Sequence, residues 1–519
     1  MEPRFDFNGP LLPDFVRLNG RWYPDKAAII DEQRTVSWRE LDRASNAVAN
    51  GLRALGVRGG DPVAILLENC AEYVEMLYGL WKAGAVAVPL NLAVNDSGLV
   101  GMLRDAGARA LFCSPAQRAR LDARLGEVDS LLPGAIIEHG GAGSYRRWRD
   151  EQADGAPTVT IGDDDPINII YSSGTTALPK GIKHVHRRRL QSIYELALGH
   201  RYHYGAVAIC PIGLYSNVAW SPLLCSLVVG GTCIVRRGFD PQAWIEDVRR
   251  YGVSHTMMVP IMFQRVLEAP NFTPAAVRSL QAVISGGAPL FENLKRRVME
   301  NFGCAVIELY GLTEGFMTML QPEEAEGRLA SVGKPVRGND YLLLDDDGRE
   351  QPWGGTGEIC VRSVHWMLEY HNRPDATREA MYVDADGRQW LRTGDVGRTD
   401  ADGYLYIVDR KKDMILSGGQ NVYPADIEAV LSTHPLVAEA AVIGIPDERW
   451  GETPVAIVVP RRTPASPTDA EIASLVRDWT NGRVGKRQRV KDIRLVESMP
   501  RNPNGKVLKR ELRNEYLRG

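Results

Sequence analysis

With 519 residues the chain is too long for a single hydrophobic core, and about three or four lobes are predicted. Hydrophobic residues at 44% and charged residues at 24% match an ordinary globular enzyme and exclude a disordered or fibrous chain. A net charge of −3 gives no general attraction to nucleic acid or an anionic membrane. No run of about 18 apolar residues predicts a transmembrane helix. The start, Met1 to Asp6, carries acids and has no apolar signal core. Seven cysteines, odd in number and without a Cys-x-x-Cys pair, predict free thiols in a reducing compartment, with the cytoplasm as the expected location.

In chain order, residues 35–60 predict an amphipathic helix ended by glycine, because Leu41, Ala44, Val48, Leu52 and Leu55 recur at spacings of three and four. Pro62–Leu67 predicts a buried strand, residues 71–83 a second helix, and Ala85–Leu90 another strand. Apolar strands follow at 110–113, 167–171, 207–211, 232–235, 256–259 and 282–285, and their alternation with helices predicts parallel α/β layers. From about 331 to 362 the pattern changes to hairpins of a small β lobe. Its Asp345-Asp346-Asp347-Gly348 run reads as a solvated turn rather than a metal cluster. The last ~110 residues form a separate α+β unit, with a helix behind Pro424, strands near 440–446 and 455–459, and a loop at 461–469. The fold class is therefore α/β: layered α/β subdomains plus a small β lobe in a large N-terminal domain, residues 1–408, and a small α+β C-terminal domain, residues 409–519.

The segment Ile170-Tyr171-Ser172-Ser173-Gly174-Thr175-Thr176-Ala177-Leu178-Pro179-Lys180-Gly181 carries the most chemistry. A buried strand opens into a loop of hydroxyls and glycines that ends in lysine. Such a loop turns N–H and O–H groups toward a phosphate and adds a mobile positive charge. It is not a Walker A loop, since Pro179 precedes the lysine and Gly181 follows it.

That segment resembles the phosphate loop of the adenylate-forming enzymes: acyl- and aryl-CoA synthetases, luciferases and peptide-synthetase adenylation domains. Four further strings match in order. Tyr310-Gly311-Leu312-Thr313-Glu314 resembles the second nucleotide motif, Thr393-Gly394-Asp395 the ribose motif, Asp409-Arg410-Lys411-Lys412-Asp413 the hinge, and Asn504-Gly505-Lys506 the C-terminal lysine motif. The resemblance implies an AMP-forming acid–thiol ligase. A carboxylate attacks the α-phosphate of ATP in line and expels pyrophosphate, and the thiol of CoA then takes the acyl group. Catalysis of the first step is chiefly positioning and charge stabilisation.

The resemblance also implies residue roles. Ser172, Ser173, Gly174, Thr175, Thr176 and Lys180 hold phosphates. Thr313 donates to the α-phosphate, and Glu314 is the magnesium ligand, a hard oxygen donor beside phosphates. Gly286-Gly287-Ala288-Pro289 forms a wall for adenine, with Tyr310 and Gly311 nearby. Asp395 takes the ribose hydroxyls, and Arg410 is a second nucleotide contact. Lys506 swings in to neutralise charge on the carboxylate and α-phosphate. Asp409 is the hinge about which the small domain rotates after adenylation. Ser417, Gly418 and Gly419 then line the pantetheine channel, with Trp450, Arg483 and Lys486 near CoA.

The acyl pocket is drawn from Tyr215, Asn217, Trp220, Met258, Pro260, Gly287, Gly311, Phe316 and Met317, with Ser216 beside them. That group holds no acid and no arginine, so a neutral aromatic, cyclic or medium-chain acid is expected. Departures from the family pattern are Ala177 for a glycine, Leu214 where many members carry histidine, Ser363 for a glycine, and Gln488 within Lys486-Arg487-Gln488, which lacks a proline. His184 and His186 are read as structural, because no further metal ligands are spaced for them. The expected partners are a carboxylic acid, ATP with Mg2+, and CoA, with no nucleic acid and a homodimer as the candidate assembly. The competing readings are loading of carrier-protein pantetheine, a luciferase-like oxygenase, and a non-catalytic adenylate sensor.

Overall fold

A computed structural model describes residues 9–140, 145–172, 179–411, 413–418, 420–462, 466–501 and 506–518. Two sheets form the body of the large domain. In the first, six parallel strands run in the order Ala305–Gly311, Ala282–Ser285, His255–Met258, Val207–Cys210, Thr232–Val235 and Ala27–Ile30, with antiparallel strands at both edges. The second is built around parallel strands Val86–Pro89, Pro62–Leu66, Ala110–Cys113 and Ile136–Glu138. The hairpin Pro166–Tyr171 and Gly181–Val185 continues it, Pro166–Tyr171 lying parallel to Val86–Pro89. Their buried, branched side chains are those of strands covered on both faces.

The helix predicted over 35–60 is shorter, Trp38–Ala54. Ser37 accepts from the Glu40 N–H and Glu40 reaches back to Ser37, so the capping box sets the start at Trp38. Residues Thr35–Ser37 pair instead with Ala27–Ile30. The helix packs on Ala71–Lys82, where Gly79 lies so close to Val48 that no side chain fits between them.

A five-stranded lobe follows, ordered Asn339–Leu344, Thr356–Ser363, Gln389–Thr399 and Met381–Val383, with Leu405–Arg410 added to Gln389–Thr399. The aspartate run is a solvated turn, with Asp345 accepting from the N–H groups of Asp347 and Arg349. The small C-terminal unit is an α+β layer in which Val437–Asp447 and Gly451–Pro460 form a long antiparallel pair. Its side-chain contacts to the large domain include Asn293 Nδ2 to the Ser432 carbonyl, 2.7 Å, and Arg461 to Glu268, 3.1 Å. No helix among the described residues is long and apolar enough to cross a membrane.

Candidate active site

Thr313 and Glu314 sit at the tip of a tight hairpin between Ala305–Gly311 and Met317–Leu320. The Leu312 N–H donates to the Phe316 carbonyl and the Gly315 N–H to the Leu312 carbonyl. Gly315 has φ +112°, and a Cβ there would strike the His365 carbonyl, so glycine is required. The tip is held from outside. The Met367 N–H donates to the Glu314 carbonyl at 2.7 Å, and Ser363 Oγ donates to the Gly315 carbonyl at 2.5 Å. The departure at Ser363 thus gives this hairpin an extra tie. Tyr370 Oη donates to Glu314 Oε1 at 2.8 Å, and the Lys180 ammonium lies 4.8 Å from the Tyr370 ring centroid. Three strings far apart in sequence therefore meet at Tyr370. Glu314 is half-buried and keeps carboxylate lone pairs beyond this bond, which suits a hard divalent cation.

Asp395 follows Gly394, at φ +70°, and its N–H donates to Thr393 Oγ1. Strand register sets Asp395 opposite Arg410. Arg410 Nε lies 2.8 Å from Asp395 Oδ1, and Tyr310 Oη donates to Asp395 Oδ2 at 2.8 Å. Burial, then the neighbouring carboxylate, holds the Tyr310 phenol well above its ordinary pKa, so it stays a donor. Burial works against the Arg410 charge, but Asp395 and Tyr310 outweigh it and the pKa is raised.

Gly286 ends the strand Ala282–Ser285, and a Cβ there would lie 2.7 Å from Met257 Cε. Gly287, at φ +82°, and Pro289 are exposed and Ala288 is half-buried, giving a rim without bulky groups. Gly311 is exposed beside it. At the ends of the parallel strands of both sheets lies a cavity of about 260 Å³, lined by Glu68, Asn69, Pro211, Gly213, Tyr215 and Arg237. Ligands favour such strand-end crevices.

The other proposed acyl residues separate into two sets. Tyr215, Asn217 and Pro260 are half-buried. Trp220, Met258 and Phe316 are fully buried in packed cores, Trp220 donating its indole N–H to the Leu214 carbonyl at 2.7 Å. Met317 is 6% exposed in the same core as Trp220. Leu214 is itself buried, its N–H held by Asn69 Oδ1.

One side chain of this region was missed in the sequence. Arg189 is buried, and its Nη1 donates to Asn217 Oδ1 at 2.8 Å, so together with Arg237 at the cavity two arginines stand near the proposed acyl residues, against the expectation of none. Arg189 is one of three consecutive arginines, Arg187-Arg188-Arg189, which read as a solvated run until the helix His186–Gly199 turns one of them inward. His184 and His186 are buried, as expected of structural residues.

In the small domain, Ser417 is buried and the Gly418 N–H donates to the Trp450 carbonyl at 2.7 Å. Arg487 stacks on Trp450, 4.0 Å from the ring centroid, and crowds Gly418. Arg483 lies instead over Trp479 at 3.4 Å, and Lys486 is exposed. Arg487 therefore lies beside both Gly418 and Trp450, with Arg449 also over the Trp450 ring at 4.7 Å. Asp409 accepts from the N–H groups of Arg410 and Ala425. Burial pushes its pKa up to about 6, with Lys509 opposing and Glu428 adding to the shift. Lys506 is half-buried between the Arg501–Val507 bridge and the helix Lys509–Arg518. Ser172 closes its strand with an N–H bond to the Lys180 carbonyl. Ser173, Gly174, Thr175, Thr176, Ala177, Lys412, Gly419, Asn504 and Gly505 lie outside the described residues.

A two-sheet body, a β lobe and a small C-terminal α+β domain, with these five strings in this order, define an adenylate-forming enzyme. The chain belongs to the AMP-binding enzyme family: that model matches residues 17–371, and the AMP-binding enzyme C-terminal domain matches residues 426–506. It is 34% identical to fatty acid–[acyl-carrier-protein] ligase ScoC of Streptomyces coeruleorubidus, over 95% of this chain and 94% of that one. It is 35% identical to long-chain-fatty-acid–CoA ligase FadD13 of Mycobacterium tuberculosis, over 93% of each. The anthranilate CoA ligase AuaEII, solved with anthranoyl-AMP, superposes with TM-score 0.90 at 27% identity, covering 98% of this chain and 97% of that one. The protein is an AMP-forming acid–thiol ligase of the acyl/aryl class.

Proposed function

We propose that the enzyme joins a carboxylic acid with a hydrophobic body to CoA through an acyl-adenylate. The observation that carries this is the meeting of Lys180, Tyr370 and Glu314 at the Thr313–Glu314 tip. Phosphate charge is gathered there by Lys180. Thr313 faces the α-phosphate, where the carboxylate oxygen forms its bond to phosphorus and pyrophosphate leaves. Glu314 would hold Mg2+, which would supply charge neutralisation on the phosphates. Asp395 orients the ribose. Lys506 meets the charge developing on the carboxylate and α-phosphate. In the second half-reaction the CoA sulfur bonds the acyl carbon as the acyl–phosphate C–O bond breaks, AMP leaves, and the thiol proton passes to solvent. For this step the small domain turns about Asp409 and Arg410 and brings Ser417, Gly418, Trp450 and Arg487 to the thiol.

The half-buried Tyr215, which lines the strand-end cavity, supports an aromatic, cyclic or medium-chain body. Neutrality of the whole acid rested on a pocket without a cation, and Arg189 withdraws that premise. A screen of pyrophosphate release over aryl, cyclic and C4–C12 acids, with and without CoA, tests the reading. Acid-dependent release together with mass-detected acyl-CoA supports it, and no release from any acid refutes it. The ScoC likeness favours a second reading, transfer to carrier-protein pantetheine, which is supported if adenylate forms, CoA is not consumed and a pantetheinylated carrier is acylated.

A further inference from the structure

Among the described residues, three Lys or Arg side chains count as buried: Lys82, Lys295 and Arg189. Lys82 holds Asp42 at 2.6 Å, and Lys295 holds Glu308. Arg189 holds no carboxylate. Its Nε and Nη2 share Asn168 Oδ1, at 3.2 and 3.0 Å, Nη2 also meets His184 Nδ1 at 3.1 Å, and Nη1 takes Asn217 Oδ1. All three partners are neutral. His184 offers a lone pair to Arg189, and its own pKa is kept well below the ordinary value by burial and then by the guanidinium. Burial without a compensating anion also brings Arg189 itself down to about 9. A buried charge is ordinarily paired, because neutral dipoles replace lost hydration only in part.

The position says which anion could do so. The guanidinium lies 5.4 Å from the centroid of the Trp220 ring and grips half-buried Asn217 at the start of the helix Asn217–Val228. On its other side the His184 imidazole, which meets Arg189 through Nδ1, lies against the Thr313 backbone, so it stands between Arg189 and the reaction loop. An anion on Arg189 is therefore on the acyl side of the site, apart from the carboxylate that reacts at Thr313. A half-turn of the Asn217 amide presents its Nδ2 donors to the same anion.

We propose that Arg189 is a specificity-determining residue that pairs with a second carboxylate on the substrate, making the preferred acid a dicarboxylic acid with a hydrophobic body. The inference rests on the acid–thiol ligase reading. With Nε and Nη2 taken by Asn168 and His184, Nη1, released by the turned Asn217 amide, is the nitrogen that meets the carboxylate in a charge-assisted hydrogen bond.

The test compares matched pairs in the full-length enzyme. C4–C10 terminal diacids and carboxyphenyl-alkanoic acids are each set against their monomethyl esters, with pyrophosphate release as the readout. In the wild type the best diacid should exceed its ester by ~100-fold in kcat/KM, the scale of truncating one member of a buried ion pair. Arg189→Met should abolish that preference mainly through KM for the diacid, while the ester is used as well as before or better. Arg189→Lys should restore part of it. Stabilisation of each variant by ATP in a melting assay checks its fold, and the wild-type comparison decides the matter even if a variant fails to fold. Equal use of ester and diacid by the wild type overturns the proposal and leaves the ligase reading standing. A folded Arg189→Met protein that loses both substrates equally also overturns it, because Arg189 would then serve the fold or the reacting carboxylate. No pyrophosphate from any acid refutes the ligase reading and this proposal with it.

Discussion

Asp395 offers a perturbation whose size can be worked from its neighbours. It is 4% exposed, accepts from Tyr310 Oη and forms an ion pair with Arg410, whose Nε lies 2.8 Å from Oδ1. The Arg410 side chain is 39% exposed, so water screens the pair and its contribution is about 1 kcal/mol rather than the several expected of a dry pair. The phenol bond to a charged acceptor adds about 1.5–3 kcal/mol. Asp395→Asn keeps an oxygen for Tyr310 and should cost about 1–2 kcal/mol; Asp395→Ala strands a buried phenol and should cost about 3–4. At roughly 1.2 °C per kcal/mol for a domain of about 400 residues, the alanine protein should melt about 4–5 °C lower and the asparagine protein about 1–2 °C lower. If the carboxylate also takes ribose hydroxyls, loss of charge-assisted bonds should raise the ATP KM about 10- to 100-fold in the alanine variant. Melting curves without ligand and pyrophosphate release at varied ATP separate the two roles. A lower melting temperature with an unchanged ATP KM would show that Asp395 only braces Tyr310 and Arg410.

Two further predictions concern the moving domain and acid stability. Lys506→Ala should abolish acid-dependent ATP–pyrophosphate exchange yet convert supplied acyl-adenylate and CoA to thioester at a near-normal rate. Gly418→Val should do the reverse, because a Cβ there would lie 2.6 Å from Arg487 Nη1 and 3.0 Å from the Trp450 ring and would push apart the stack proposed to receive CoA. Equal damage to both half-reactions by Lys506→Ala would contradict the alternating-face mechanism. Burial lowers the pKa of His186 to about 4, and neither ring nitrogen has a partner among the described residues. The unfolded chain binds the proton near pH 6.5, so this site's stability is intact above about 6.5 and is lost as pH falls toward about 4. His186→Phe should make the fall in denaturant midpoint between pH 7 and 5 shallower, by up to about 1.4 kcal/mol per pH unit, and parallel profiles would refute the assignment.

The strand-and-helix order was legible because it is local. Val86–Pro89 and Ala282–Ser285 are short apolar runs between turn residues, and a covered parallel strand needs little else. The strings at Thr313–Glu314 and Gly394–Asp395 were found by family resemblance, and the tight hairpin and the left-handed glycine turn that carry them came from the structure. The start of the helix at Trp38 was misplaced because the capping box of Ser37 and Glu40 overrides an apolar spacing that begins earlier. What only the tertiary structure decided are meetings between distant segments. Tyr370 reaches Glu314 because Glu369–Tyr370 joins the edge of the second sheet beside Gly181–Val185, a pairing no periodicity announces. Arg187, Arg188 and Arg189 are the same letter three times. Helical rotation leaves Arg189, among the described residues, a buried cation with no carboxylate partner beside Asn217, and that environment exists only once the chain is folded.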